Sequence, residues 1–448
     1  MDTLYYTEKP RDIPVLGEYD VIVCGGGTSG IAAAIASART GVKTVLLERY
    51  GFTGGVPAYC IMPAWHRLRE IHSRLLGEFA ERTASVGPGP NTLKTEHTEP
   101  EYVKITALNM LAESGVELHL HTLCTGAVVE EKNVRGVITE SKSGRRAFLG
   151  KTLIDATGDG DIAFLAGAEY LQGDDEGITQ GMTIRFRIGR INFDRYFDWV
   201  AENRQYYKNI SDERIEDLRS KARDGKEFYM SGDLSPLYKL HPEYPNLPVS
   251  SYFNASSIRK DELSVNATRI YRVDGTKEED LTLAEVTCRK QAFEVWRFLH
   301  EKIPGFENSV VIETAAQIGV RETRRIIGDY ILTEADCRDG TRFPDAVAAN
   351  PISFDLHDRN YSCESLAHAA YIPYRCLLPK GLEGLLTAGR CISSDHVANS
   401  TIRRMTTAFE TGQAAGIAAA LSAKMNLTPR NLPFETLKTA LLEAGAGV

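Results

Sequence analysis

Residues 19–48 read Tyr19-Asp-Val-Ile-Val-Cys-Gly-Gly-Gly-Thr-Ser-Gly-Ile-Ala-Ala-Ala-Ile-Ala-Ser-Ala-Arg-Thr-Gly-Val-Lys-Thr-Val-Leu-Leu-Glu48. Val21 to Cys24 is a short apolar run of the kind that forms a buried parallel strand. Gly25, Gly27 and Gly30 then give G-x-G-x-x-G. A run of small residues follows, with Ile31 and Ile35 one helical turn apart. Gly41 ends this predicted helix, and Lys43 to Leu47 reads as a second strand with Glu48 at its tip. Gly25 suits the tight turn out of the strand, Gly27 lets a pyrophosphate approach the backbone, and Gly30 lets helix and sheet pack closely. The helix N-terminus offers free N–H groups to phosphates. Glu48 is placed to accept hydrogen bonds from a ribose diol. The stretch therefore predicts a dinucleotide site, and an acidic residue at 48 favours FAD or NAD over NADP.

The rest of the 448-residue chain is consistent with that reading. Its length favours two domains, or one large domain with insertions. Its net charge of −8 leaves no electrostatic footprint for nucleic acid and favours a small-molecule substrate. The cysteines at 24, 60, 124, 288, 337, 363, 376 and 391 form no C-x-x-C pair. That usage suits a reducing compartment, with Cys24 as a small buried hydrophobe. The first ten residues lack the basic and apolar regions of a secretory signal, and no apolar run reaches about twenty residues. A cytoplasmic protein without a membrane span is expected.

Further along, Gly54-Gly55 is a second place where backbone can pass close to a ligand. Helices are predicted over Ile71 to Val86 and Pro100 to Ser114, with residues 91–98 as loop. The alternating run Val116 to His121 predicts a strand with His119 and His121 on one face. A metal pair there lacks a third ligand, and no metal site is assigned. Residues 126–150 read as a three-stranded meander. Lys151 to Asp155 reads as a separate strand running into Ala156-Thr157-Gly158-Asp159, at the strand end where doubly wound sheets bind ligands. Alternation predicts strands over Met182 to Ile191 and Leu263 to Val273. Leu281 to Ile303 is a long amphipathic helix. Gly384 to Arg390 returns as a buried strand, and Met405 to Lys424 as a helix with Gly412 and Gly416 spaced for close packing. The fold class predicted is α/β: a discontinuous Rossmann-like domain of 1–169 and 379–448, three-layered with a β-meander, and an inserted α+β substrate domain of 170–378.

Asp20-Val-Ile-Val-Cys-Gly-Gly-Gly-Thr-Ser-Gly30, Gly54-Gly55, Ile154-Asp-Ala-Thr-Gly-Asp-Gly-Asp161, Thr387-Ala-Gly-Arg-Cys-Ile-Ser-Ser-Asp395 and Gly412-Gln-Ala-Ala-Gly416 together resemble FAD-dependent oxidoreductases of the glutathione-reductase-like superfamily. Ile318-Gly-Val-Arg-Glu-Thr-Arg-Arg-Ile-Ile-Gly-Asp-Tyr-Ile-Leu-Thr333 resembles one large bacterial group of FAD-dependent oxidoreductases. The resemblance spans residues 12 to 424. It implies FAD as cofactor, with Gly25, Gly27, Thr28, Ser29 and Gly30 at the pyrophosphate and Glu48 and Arg49 toward the adenosine. Gly54, Gly55 and Val56 would run along the pyrophosphate and flavin side, and Cys124 beside adenine. Thr157, Gly158 and Asp159 would lie under the cofactor, with Gly389 and Asp395 at the phosphate and ribityl portion. The start of the 405–424 helix would face the flavin O2/N1 edge, where negative charge develops on reduction. The His/Arg substrate pattern of the fumarate-reductase group is not present.

Hydride transfer needs a bound flavin, a substrate orienter and an acid or base. Arg321 is the first candidate to orient an anionic substrate, with Arg324 and Arg325 beside it. Arg403 or Arg404 can face the flavin, Arg269 can line the substrate pocket, and His66 and His396 are acid–base candidates. The expected function is an FAD-dependent dehydrogenase or reductase acting on a small polar or anionic molecule. Its electron donor or acceptor is unidentified, and a homo-oligomeric state is compatible with the sequence. The alternatives are a monooxygenase or halogenase, and a non-catalytic flavin-binding subunit.

Overall fold

The computed structural model describes residues 6, 8–66, 68, 73–88, 97–248, 252–257, 259–358 and 362–447. The chain opens with strand β1, Val15–Cys24, helix α1, Thr28–Arg39, and strand β2, Thr44–Leu47. Strand β1 pairs in parallel with β2, and β2 with β3, Glu117–His119. On its other side β1 pairs in parallel with a later strand, Arg146–Asp155. Strands β4, Leu123–Glu130, and β5, Asn133–Glu140, come between β3 and that strand, which is β6.

Strand β6 carries two roles along its length. Its first half pairs antiparallel with β5 through Ala147↔Ile138 and Phe148↔Val137. Its second half pairs in parallel with Leu385–Thr387 through Leu153↔Leu385 and Asp155↔Thr387. The expected break between a meander strand ending at Gly150 and a new strand at Lys151 is therefore absent, and one ten-residue strand serves both.

Alternation along β1 sets the three layers, because neighbouring side chains point to opposite faces. Val21 and Val23 pack into a core shared with α1, with helix Pro100–Glu113 and with helix Met405–Met425. Ile22 and Cys24 pack against Val134, Val137 and Phe148 of the meander. Helix 405–425 lies directly on α1. A Cβ on Gly412 would stand 2.1 Å from the Ser29 carbonyl oxygen, and one on Gly416 2.3 Å from that of Ala33. Only glycine permits so close a crossing.

A second, antiparallel sheet is built from Phe186–Gly189, Phe228–Gly232, Phe253–Ser257, Glu262–Asn266 and Val310–Thr314, in the order 310–314, 186–189, 262–266, 253–257, 228–232. Its core includes Phe186, Ile188, Phe253 and Val265, covered by Val295, Phe298 and Leu299 of the long helix Glu278–Lys302. Glu99 and Arg187 tie this sheet to the first half of the chain at 3.0 Å, and Arg259 reaches the same carboxylate at 3.1 Å.

Several predicted elements are shorter than the sequence pattern suggests. The runs 182–191 and 263–273 do lie side by side, but Thr268 interrupts the ladder. Its hydroxyl accepts from the Ile184 N–H at 2.8 Å and donates to the Ile184 carbonyl at 2.9 Å, so a side chain replaces the backbone rung. Pairing resumes between Met182 and Ile270. Strand β3 ends at His119, and His121 has φ +52°, so the two histidines do not share a strand face. His119 bonds Glu117 at 2.9 Å instead. The helix expected from Ile71 starts at Arg74, capped by the Ser73 hydroxyl, which accepts from the Leu76 N–H at 3.2 Å. Ile71 and His72 lie outside the described residues, as do residues 91–96 of the expected loop.

Candidate active site

The glycine loop is held by its own backbone and by Glu48. The Gly26 N–H donates to the Glu48 carboxylate at 2.5 Å, and the Tyr50 N–H donates to its other oxygen at 2.8 Å. Burial raises the Glu48 pKa, against these hydrogen bonds and Arg49. The Gly26 carbonyl accepts from the Gly54 N–H at 2.9 Å, which fixes Gly54-Gly55 against the loop. Gly25 has φ +97°, and a Cβ there would meet the Ala156 oxygen at 2.6 Å. A Cβ on Gly30 would stand 1.8 Å from the Gly25 oxygen. Gly27 differs from both. Its backbone is extended, at φ −74° and ψ −174°, and a Cβ on it would meet nothing closer than the Gly55 Cα at 3.8 Å. Protein packing does not demand glycine at 27, and the space in front of it is open.

That gap opens into a cavity of about 630 Å³, a size that suits a cofactor or ligand site. Gly25, Gly27, Thr28, Ser29, Glu48, Arg49, Gly55, Val56, Cys124, Thr157, Gly158 and Asp159 line one end. These are most of the cofactor residues expected from sequence. Gly30, Gly54, Gly389 and Asp395 stand behind the wall. Gly389 packs beside Ser29, where a Cβ would lie 2.6 Å from its hydroxyl. Asp395 caps helix His396–Ile402, accepting from the Ala398 N–H at 2.7 Å, and also accepts from the Glu334 N–H at 2.6 Å.

Three separate motifs converge on Asp159. Arg390, from the 387–390 stretch, ion-pairs with it at 2.7 Å, and the Thr323 hydroxyl, from the 318–333 stretch, donates to it at 2.7 Å. Asp155 shapes the turn below, accepting from the Thr157 hydroxyl at 2.7 Å and the Ala163 N–H at 2.9 Å.

The other end of the same cavity is lined by Arg185, Arg321, Arg403, Arg404, His66, Asp355 and His357, with Tyr229, Asn254 and Met405. Asp355 and His357 sit two apart on the hairpin of Phe354–Leu356 and Ser362–Glu364. The Asp355 carboxylate lies 2.9 Å from His357 Nε2, 3.1 Å from Arg403 and 3.2 Å from Arg404. Burial works against its charge, but Arg404, His357 and Arg403 outweigh it and hold its pKa well below the ordinary value.

Arg185 and Arg321 lie outside this neutralised knot. Arg185 reaches only Met62 Sδ and the Ser264 hydroxyl, both at 3.3 Å, and its Nε has no partner among the described residues. Arg321 donates to the Gly181 carbonyl. Among the described residues neither is ion-paired with a carboxylate. Burial lowers the Arg185 pKa to about 10. Burial, followed by the repulsion of Arg269 and Arg403, lowers that of Arg321 well below the ordinary arginine value. Among the described residues, four arginines that line this end, Arg185, Arg321, Arg403 and Arg404, are set beside the single carboxylate of Asp355. Buried charge of one sign is costly until a counter-charge arrives.

The remaining candidates are placed as follows. Arg269 is buried but does not line the cavity; its backbone N–H donates to Gln291 at 2.8 Å. Arg324 pairs with Asp161 at 2.9 Å, and Arg325 with Glu322, so both are spent structurally. His396 bonds Glu322 at 2.9 Å and Asp358 at 3.2 Å, away from the cavity wall. His66 lines the cavity as an exposed residue, and desolvation by the surrounding protein, followed by Arg404, lowers its pKa from the ordinary histidine value.

Arg185, Arg390, Asp355 and His357 are residues that sequence reading missed. Asp355-x-His357 has the spacing for one strand face, but such a pair is common on surfaces. Arg185 sits in an alternating apolar run, where only burial shows its importance.

Comparison with known proteins agrees with this geometry. The family described as FAD dependent oxidoreductase matches residues 20–441. Over 155 residues the chain is 34% identical to the tRNA uridine 5-carboxymethylaminomethyl modification enzyme MnmG of Geobacter sulfurreducens, covering 32% of this chain and 24% of that protein. Over 148 residues it is 29% identical to dihydrolipoyl dehydrogenase of Trypanosoma brucei brucei, covering 32% of this chain and 29% of that one. The chain thus spans about a quarter of the length of the curated relatives it matches. Among solved structures, the flavin-dependent brominase Bmp2 aligns with a TM-score of 0.50 at 12% identity, over 94% of this chain and 83% of that one. That likeness shows the fold alone.

Proposed function

The chain belongs to the FAD dependent oxidoreductase family, and from that premise we propose that its substrate is a small organic anion, oriented by Arg321 and Arg185 in the chamber beside the cofactor. The residues fit FAD: the gap before Gly27 takes a pyrophosphate, and the cavity continues unbroken to the arginine chamber. When bound, FAD supplies hydride acceptance or donation at its N5 atom. Gly25 to Ser29 and Glu48 would hold the nucleotide end, and Val56, Asp159 and the start of helix 405–425 the remainder. In the same reading, residues 1–169 and 379–448 are the cofactor domain and 170–378 the substrate domain, each with its own sheet.

The observation that carries the proposal is a pair of guanidiniums, Arg185 buried and Arg321 half-buried, without a carboxylate partner among the described residues. A substrate carboxylate offers each a charge-assisted hydrogen bond worth about 1.5–3 kcal/mol. Asp355 has a different task. It keeps Arg403 and Arg404 neutralised and in place, so the uncompensated charge concentrates at Arg321 and Arg185. His357, lowered well below its ordinary pKa by burial and by Arg321, is neutral beside Asp355. Neutral His357 can donate or accept a hydrogen bond without adding to the positive charge.

The test is an anaerobic titration of the FAD-loaded protein with small hydroxy, amino and unsaturated carboxylates, with oxygen uptake measured alongside. The proposal expects bleaching of the flavin band by a carboxylate donor, or reoxidation of dithionite-reduced protein by a carboxylate acceptor. Turnover only with NAD(P)H, oxygen and an uncharged substrate would instead establish a monooxygenase or halogenase.

A further inference from the structure

The helix Glu278–Lys302 buries Ala292, Val295, Phe298 and Leu299 against the second sheet, and Ala284 and Cys288 in a separate cluster with Met182, Ile184 and Ile318. Its opposite face is unusual for a surface. Leu283 is 53%, Val286 49% and Phe293 51% exposed. Glu279, Leu283, Val286, Lys290, Phe293 and Arg297 follow one another at intervals of 4, 3, 4, 3 and 4 residues. That spacing makes a single stripe along a helix, about 27 Å long at 1.5 Å per residue.

The stripe reads as its own mirror. The intervals are palindromic about position 288. An antiparallel copy centred there sets Leu283 opposite Phe293, Val286 opposite the Lys290 stem, and Glu279 opposite Arg297. The helix ends agree: acidic residues 278–280 occupy the first turn, and His300 and Lys302 the last. Arg297 lies over the Tyr244 ring at 4.6 Å and donates to the Glu243 carbonyl at 3.3 Å, while Glu294 and Glu301 stand 3.7 and 3.8 Å away, so its charge has no close carboxylate within the chain among the described residues. Apolar residues meeting apolar residues, with acid meeting base at both ends, is what a two-fold, self-complementary interface requires.

We propose that this stripe pairs with the same stripe of a second copy of the chain, giving a two-fold homodimer with the 278–302 helices antiparallel. The interface lies on the outer side of the helix, away from the cavity wall, so it is independent of the substrate assignment.

The test uses the full-length, FAD-loaded protein in sedimentation equilibrium and light scattering. Wild type is expected at twice the mass of one chain at tens of micromolar. F293E is expected to weaken dimerisation by about 100-fold or more, as for a central apolar anchor. E279R and R297E should each weaken it by about tenfold, and the double swap E279R/R297E should restore it. Flavin absorbance reports that each variant is folded. If F293E fails to fold, the charge-swap series still decides. A wild type that stays monomeric, a dimer indifferent to F293E, or a double swap no better than the single variants would overturn the proposal.

Discussion

Replacing Gly27 by alanine separates two reasons for a glycine in this loop. At Gly27 the backbone is in a region any residue adopts, and the added methyl would stand 3.8 Å from its nearest neighbour. The protein itself therefore loses little: about 0.5–1 kcal/mol, because alanine is a poorer helix N-cap than glycine. The methyl fills the gap where a pyrophosphate must approach. Losing two hydrogen bonds to a charged group there costs about 3–6 kcal/mol, or roughly 10²–10⁴-fold in FAD affinity. Gly30→Ala is the control, since its methyl would lie 1.8 Å from the Gly25 oxygen. Such overpacking costs about 1–3 kcal/mol or more, and should lower the melting temperature of the apoprotein itself. The assay is thermal unfolding of both apoproteins, with FAD titration followed by quenching of flavin fluorescence. The reasoning is refuted if Gly27→Ala binds FAD as tightly as wild type, or if its apoprotein is destabilised as much as Gly30→Ala.

Three further outcomes are expected. Arg321→Gln should retain FAD but lower kcat/KM about 10–200-fold, the cost of one charge-assisted contact of about 1.5–3 kcal/mol, as steady-state kinetics would measure. Asp355→Asn should destabilise the protein by about 3–5 kcal/mol at pH 7 in denaturant titrations, because Arg403 and Arg404 lose their counter-charge. The folded pKa of Asp355 is depressed, so its contribution is complete above the ordinary aspartate range near pH 4 and lost as pH falls through the depressed value; that acid limb should vanish in the variant. Glu410 behaves oppositely: burial raises its pKa to about 7, so stability falls between about pH 4.5 and 7 by on the order of 3 kcal/mol. Unfolding of Glu410→Gln across pH 5–8 should lack that decline, leaving the variant more stable than wild type at pH 8.

The glycine-loop end of the cavity was legible in sequence as local structure, because its constraints are local. Strand, turn, helix and acidic tip follow within thirty residues, and each glycine answers to a neighbour nearby. The layers were legible too, since Val21/Val23 and Ile22/Cys24 alternate between two cores. What was not legible depends on distant pairings. Whether Arg324 or Arg321 is the spare charge turns on Asp161, some 160 residues earlier, and on the Phe164 ring, 4.1 Å from the Arg324 guanidinium. His66 looks like an acid–base in sequence, and only its surroundings depress its pKa. The Thr268 hydroxyl standing in for a ladder hydrogen bond leaves no trace in the alternation it interrupts.

The most direct test of the account is a crystal structure of the FAD-loaded protein with a small carboxylate bound. The account predicts FAD along the cavity from Gly27 to Met405, and the carboxylate within hydrogen-bonding distance of Arg321 and Arg185. A carboxylate bound elsewhere, with both guanidiniums turned to protein partners, would contradict it.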